Sequence, residues 1–405
     1  MPLERPILPL PGFARVAADF GGVYAATAVV AFLFSVTGPV AIILSIGAAG
    51  GLAESDISSW LFGGFFLNSI LSLGFSIAYR QPLVFLWSIP GAVIVGPALT
   101  HLSFPEVIGA FLVSGIVMLL LGVSGWVRRA MDAVPMPIVM AMVAGVFLRF
   151  GVGLVHAFVD DLAIALSMTV TWLALSVWPR LKMPPLLLRI PPLIGALVVG
   201  AVVIAVEGSF KPPAGALFGL ASPTLYTPRF TWPALVELVV PLVITVLTVQ
   251  NAQGIAILTN NGHRPPTNAI TVACGVGAFV TGLVGAVSTC LTGPVNAVIS
   301  NTGEKQRQYT AGVCVAILAM AFGLLAPFFT RLLLGTPAAF IATLAGLAML
   351  RILQSAFTAS FAGRWTFGAL VCFLVTVADV AILRIGAPFW GLVFGVAASR
   401  LLERE

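Results

Sequence analysis

Apolar positions in this chain fall into long unbroken runs, most of them near 20 residues, and the short stretches between them carry most of the charge. A helix needs roughly 20 apolar residues to cross a hydrocarbon core of about 30 Å, so each run predicts one crossing. Fourteen segments result. The first half gives 18–50, with an interruption at Thr37-Gly38-Pro39, then 59–79, 82–100, 105–126, 134–155, 160–178 and 190–206. The second half gives 232–259, 267–286, 288–303, 309–332, 336–357, 365–383 and 386–402, and the Pro- and Gly-rich stretch 207–231 is the linker.

Each added crossing moves every later loop to the other side, so the distribution of basic residues tests the count. With the N-terminus inside, the cytoplasmic stretches collect Arg5, Arg15, Arg80, Arg128, Arg129, Arg180, Lys182, Arg189, Arg264, Lys305, Arg307, Arg364, Arg400 and Arg404. The outer stretches collect Glu54, Asp56, Asp160 and Asp161. Both termini are therefore expected in the cytoplasm. Seven crossings per half is an odd number, so 232–405 must run upside down relative to 1–206. Two echoes support that repeat. AGVFLR (144–149) resembles AGLAMLR (345–351) in the fifth segment of each half, and IPGAVI (89–94) resembles TGPVNAVI (292–299) in the third. An inverted repeat places a substrate site near the midplane, between the halves.

Composition excludes a water-soluble domain. Of 405 residues 60% are hydrophobic and only 8% charged, with mean hydropathy +1.10, against about 25% charged in soluble domains. The formal charge of +6 is explained by one-sided loops, so no nucleic-acid partner is indicated. Cys274, Cys290, Cys314 and Cys372 lie in apolar segments without a CxxC pair, which indicates neither a disulfide framework nor a metal site. The opening PLERPILPLPGFARV lacks a signal-peptide layout, so the first span is expected to stay in the membrane.

Segments three and ten carry the chemistry. LVFLWS (83–88) and AVSTCLT (286–292) are extended stretches that lead to Pro-Gly or Gly-Pro and then to about nine helix-forming residues. Nine residues rise only about 14 Å, so each helix must begin inside the membrane. Pro suits a first helical turn, Gly91 and Gly293 admit a ligand, and a helix N-terminus offers free N–H groups and partial positive charge to an anion. Ser88, Thr292 and Asn296 would add side-chain donors. The competing reading is a kink at each place, with freed carbonyls met by Ser and Thr; the occurrence of the break in both halves favours the site. In segment eight, TVQNAQG (248–254) supplies Gln250, Asn251 and Gln253, which suit either a carboxylate ligand or interhelical packing. Trp87 and Phe85 can form a flat wall for an aromatic ring or can belong to the core, the role that suits Phe85 better.

These residues resemble the BenE-type benzoate/proton symporters. The resemblance spans nearly the whole chain, through TGPVAIIL, SSW, YRQPLVFLWSIPGA, VPMPIVMAMVAGVFLRFG and TGPVNAVISNTGE. It implies an all-α membrane protein of the uracil-permease and sulfate-type transporter fold, with seven plus seven segments. A core domain would comprise 1–126 plus 232–332 and a gate domain 127–206 plus 333–405. Substrate would lie between segments three and ten, with help from one and eight. It further implies a secondary transporter of the bacterial inner membrane, importing benzoate or a similar aromatic monocarboxylate with a proton by elevator-type motion, with no cofactor and with a homodimer as one possible state. The alternative is a proton-coupled nucleobase or other anion transporter of the same fold. Two departures bear on this. Where uracil permeases use glutamates, this chain has Gln250 or Asn251 and Gly293 or Pro294, and it ends at LLERE, where sulfate-type relatives often continue into a soluble domain.

A proton entering with one carboxylate removes a penalty of about 2.3 kcal/mol per 100 mV of inside-negative potential. The intramembrane candidates to carry it are Glu237, Asp19 and Asp379, each of which can equally be an interfacial residue near a helix end. Arg149 and Arg351 hold matching repeat positions and can pair with acids or phospholipid. His101, His156 and His263 fall in loops and are weak candidates. With no HExxH, GxSxG or clustered Asp motif, an intramembrane enzyme is not indicated. A passive channel would give flux that never exceeds equilibrium.

Overall fold

A computed structural model describes residues 3–7, 9–127, 129, 135–177, 191–212, 216–383 and 385–403. Arg128, Arg180, Lys182, Arg189 and Arg404 lie outside the described residues. A short helix α1 (Phe13–Asp19) precedes α2 (Gly22–Ala49), α3 (Glu54–Tyr79), strand β1 (Phe85–Trp87) with half-helix α4 (Ile89–Ala98), and α5 (Phe104–Ser124). Then come α6 (Met136–Asp160), α7 (Leu162–Val177) and α8 (Pro192–Glu207). The second half has α9 (Trp232–Asn260), α10 (Thr267–Gly282), strand β2 (Thr289–Leu291) with half-helix α11 (Gly293–Ile299), and α12 (Tyr309–Leu324). It ends with α13 (Ala326–Leu334), α14 (Ala338–Phe361), α15 (Thr366–Ala378) and α16 (Ala387–Leu402). Among the described residues seven helices are long and apolar enough to cross a membrane, and six more are shorter and apolar.

Packing displays the inverted repeat. Strands β1 and β2 pair antiparallel with register Phe85↔Leu291, Leu86↔Cys290 and Trp87↔Thr289, so equivalent pieces of the two halves meet head to tail. Helix α5 packs on α10 and α12 packs on α3, two contacts that exchange when the halves are exchanged. Helix α6 packs along α14, its own equivalent. The protein is a seven-plus-seven inverted repeat.

Several boundaries differ from expectation, among them the start of segment two at Glu54 and the ends of segments five and thirteen at Asp160 and Ala378, and three further differences have a physical cause. No interruption occurs at Thr37-Gly38-Pro39, because α2 runs through it as helix. Gly38 there is a place of close approach: a Cβ would sit 2.2 Å from that of Ala348 in α14, and this packing supports the helix around Pro39. Segment eleven stops at Leu324, and Pro327 opens the separate helix α13. Segment nine stops at Gly282, because Gly285 at φ +80° turns the chain toward β2, a conformation that favours glycine.

Extended backbone inside a membrane must find all its hydrogen bonds within the protein. Here a two-stranded ribbon does so by borrowing side chains. Ser88 N donates to Ser288 O at 2.9 Å and Thr292 N to Val84 O at 3.1 Å, which lengthens the ladder at both ends. Phe85 N donates to Ser72 Oγ at 2.8 Å and Leu291 N to Asn251 Oδ1 at 2.8 Å. Asn296 closes both polar groups of Val84, accepting from its N–H at 3.0 Å and donating to its carbonyl at 3.2 Å.

Candidate functional site between the half-helices

Both half-helices start at the ribbon and are capped in the same way. Ser88 Oγ accepts from Gly91 N at 3.1 Å, and Thr292 Oγ1 accepts from Val295 N at 3.4 Å. Each helix has proline at its second position, Pro90 or Pro294, so that N–H is missing. Each first turn is left with one N–H, of Ile89 or Gly293, that has no acceptor among the described residues. Two equivalent donors thus stand near one place.

That place is a cavity of about 530 Å³. Trp87, Ile89 and Pro90 border it from the first half, and Thr292, Pro294 and Val295 from the second. Phe34, Pro39, Val143, Phe147 and Ile352 give it apolar walls, while Ser35, Thr248, Gln250, Gln253 and Arg351 give it polar points. No carboxylate lines it among the described residues. Volume, apolar walls and few converging polar groups are the usual features of a small-molecule site.

Irregular helix helps to shape it. In α9 the stretches Leu235–Val239 and Thr245–Asn251 are wide, π-helical turns, and the second presents Thr248 and Gln250 to the cavity. Helix α3 has such a turn at Gly63–Leu67, and a Cβ on Gly64 would lie 2.9 Å from the Trp87 indole. Gly64 therefore makes the seat for Trp87, which is buried on the cavity wall.

The proposed substrate residues fall into two groups. Trp87, Gln250, Gln253 and Thr292 line the cavity. Gly293 lies directly under Gln253, whose Oε1 would be 2.5 Å from an added Cβ. Ser88, Gly91, Asn251 and Asn296 are buried beside it, and three of their side chains are engaged: Ser88 as cap, Asn251 and Asn296 on the ribbon backbone. Phe85 is buried in the core, as expected.

The three acids lie away from the cavity lining. Asp19 belongs to α1, where its Oδ2 takes Arg15 Nε at 3.1 Å and the Tyr309 hydroxyl at 2.9 Å. Asp379 caps the end of α15 in left-handed conformation, at φ 51°. Glu237, buried near the start of α9, meets His101 Nε2 at 2.9 Å and lies against Gly386, which precedes α16. A Cβ on Gly386 would lie 2.4 Å from Glu237 Oε1, so the approach needs glycine. His101, a weak candidate in the sequence, is the partner of the most buried acid of the three. Loop placement concealed this, since only folding brings residue 101 to 237.

The cavity has a definite direction. Met136 begins α6 and Ala359 stands close to the end of α14, so the lining reaches the face that carries Asp19, Arg80 and Arg264, termed here the basic face. On that face His263 Nε2 donates to Gln308 Oε1 at 2.7 Å, and burial holds its imidazole below the ordinary range. Helix connectivity puts His101, Glu237, Asp379 and Gly386 on the opposite face. There the linker is laid across the helix ends: the Tyr226 hydroxyl donates to Asp56, and burial with that carboxylate pushes the phenol well above its usual range.

Fold and cavity together define a multi-pass membrane transport protein, with a ligand-sized chamber where its two inverted halves meet. The chain belongs to the benzoate membrane transport protein family, BenE, whose profile matches residues 19–401. It is a family of transporters and not of enzymes. Inner membrane protein YdcO of Escherichia coli (strain K12) is 29% identical over 371 residues, covering 90% of this chain and 92% of that one. The benzoate membrane transport protein of Acinetobacter baylyi is 25% identical over 378 residues, covering 92% and 93%. Among solved structures, the transmembrane domain of the cyanobacterial bicarbonate transporter BicA has a TM-score of 0.60 at 15% identity, covering 93% of this chain and 97% of that domain. The murine Solute Carrier 26 family member A9 anion transporter in the inward-facing state has a TM-score of 0.61 at 15% identity, covering 98% and 73%. These two likenesses establish the fold.

Proposed function

We propose that the protein imports benzoate or a similar aromatic monocarboxylate together with a proton. The observation that carries this reading is the cavity itself: an apolar chamber flanked by Trp87, Phe34 and Phe147, with two helix N-termini, three uncharged polar side chains on α9 and one cation around it. A ring fits the walls and a carboxylate fits the donors. The family and the relative from Acinetobacter baylyi support benzoate as the substrate. The absence of a lining carboxylate among the described residues counts against a nucleobase, whose ring N–H groups need strong acceptors.

The substrate enters between segments three and ten and is held by Trp87, Gln250, Gln253 and Thr292, with Gly293 leaving room for it. Ser88, Gly91, Asn251 and Asn296 hold the ribbon and half-helices in place around it. Taking the basic face as cytoplasmic, with both termini there, the structure is open inward. Residues 1–126 plus 232–332 act as the core that carries the ribbon, and 127–206 plus 333–405 as the gate against which it moves in elevator fashion. Glu237 is the best-supported proton carrier, because it joins the two: its carboxylate belongs to α9 of the core and lies against Gly386 of the gate. A proton on Glu237 removes the charge at this contact.

Thermal shift of the detergent-purified protein with benzoate, uracil and sulfate tests the substrate. Stabilisation by benzoate alone is expected; a response only to uracil or sulfate overturns the reading. In proteoliposomes, labelled benzoate should accumulate above equilibrium with a proton gradient, and a protonophore should abolish that accumulation.

A further inference from the structure

Arg149 and Arg351 stand the same number of residues from the starts of α6 and α14, the fifth segment of each half. Their surroundings differ. Arg149 donates to Val93 O in half-helix α4, with its guanidinium also over the Phe150 ring at 5.4 Å. Two features of α4 make this dock. Pro97, four residues on, has no N–H, so the Val93 carbonyl has no helical donor. Gly96 leaves the space, since a Cβ there would lie 2.3 Å from an Arg149 Nη.

Arg351 has no hydrogen bond or ion pair among the described residues. It is exposed, and it is the one charged residue lining the cavity among those described. Yet a partly equivalent dock exists in its own half. Ala297 stands as far from the N-cap Thr292 as Val93 does from Ser88, and α11 ends at Ile299, so the Ala297 carbonyl also lacks a donor among the described residues; the counterpart of Gly96 is Ser300, whose hydroxyl is turned to Asn296 O and Asn261, so the second dock shares the free carbonyl but not the glycine. Helix α4 packs along α6, whereas α11 has no comparable packing on α14. One carbonyl is occupied on the closed side, and its counterpart, beside Ser300 in place of Gly96, is unoccupied among the described residues on the open side.

We infer that Arg351 and Arg149 are alternating anchors for the substrate carboxylate. Arg351 meets the anion while the cavity opens to the basic face, and Arg149 waits on Val93 O. When access passes to the other face, α11 closes on α14 and Arg351 docks on Ala297 O, while α4 leaves α6 and frees Arg149 for the next anion. The half-helix carbonyls are suited to this storage, because the C-terminal end of a helix carries partial negative charge and keeps a buried guanidinium hydrogen-bonded. The anion then finds one available cation on whichever side is open. This inference rests on the aromatic-carboxylate reading above.

Variants of the purified protein test it. Arg351→Gln should weaken benzoate binding at least ten-fold in the thermal-shift titration, with Arg351→Lys restoring much of it and the ligand-free Tm nearly constant. Wild-type affinity in Arg351→Gln overturns the inference. A ligand-free measurement examines the exchange: Ser355→Cys, placed in a Cys314→Ala background, is labelled by a maleimide at the mouth of the cavity. Arg149→Gln should lower that labelling rate several-fold by releasing the closed side, and in sided uptake should raise the KM for benzoate supplied at the face opposite the basic one. An unchanged labelling rate overturns the exchange. Wild-type protein that ignores benzoate while labelling still shifts overturns the substrate reading alone, which separates the two failures.

Discussion

The closed face and the basic face are built from equivalent parts and differ in what those parts touch. On the closed face α4 lies along α6, Arg149 holds Val93, and Glu237 meets His101 and lies against Gly386 before α16. On the basic face α11 stands off α14, Arg351 holds nothing among the described residues, and a chamber of about 530 Å³ lies between. Both halves share one topology, so the difference lies in how equivalent segments are packed. One seven-segment topology thus occurs here in a packed and an unpacked arrangement, the pair that the proposed alternating access requires.

Filling the open side should have the largest effect. Gly293→Leu puts a side chain where Gln253 Oε1 lies 2.5 Å from an added Cβ; benzoate binding should fall below detection while the protein still folds, and an unchanged affinity would remove Gly293 from the site. Loosening the closed side comes next. Glu237→Gln should leave benzoate exchange intact but make net uptake insensitive to a pH gradient, and a normal pH response would exclude Glu237 as the carrier. The ribbon between the two faces gives a structural effect. Asn251→Ala strands the buried Leu291 N–H, with a cost of about 1–3 kcal/mol, read as a lower Tm even without ligand.

Two smaller effects belong to the rims. Arg331 and Glu54 form an ion pair at 2.6 Å with both side chains partly exposed, so Arg331→Ala should cost less than about 1 kcal/mol. His263 on the basic face stays neutral more readily than a free imidazole, so the unfolded chain takes up its proton first as pH falls below the ordinary value of 6.5. Stability from this group is present above that pH and lost below it, so Tm should drop slightly between pH 7 and pH 5, and His263→Gln should reduce the drop.

Much of the fold was legible because lipid imposes simple requirements on sequence. Long apolar runs mark crossings, and Pro-Gly and Gly-Pro inside two of them mark helices that begin mid-membrane. The same local motif misled at Thr37-Gly38-Pro39, where Ala348 of α14 presses on Gly38 and the helix continues. Polar residue types in the right segments pointed to the site, but their duties were not separable. Gln250 and Asn251 are neighbours in the chain; one lines the cavity and the other holds Leu291 N.

Sequence alone determined the membrane class, the crossings, the repeat and the two mid-membrane helix starts, because each depends on local composition and on the cost of unpaired backbone in hydrocarbon. Tertiary structure decided which amide lines the cavity, that His101 meets Glu237, and that Arg149 is docked while Arg351 is free among the described residues. Those outcomes depend on distances between segments up to 136 positions apart in the chain, on wide helical turns that rotate side chains, and on which of two equivalent packings is closed.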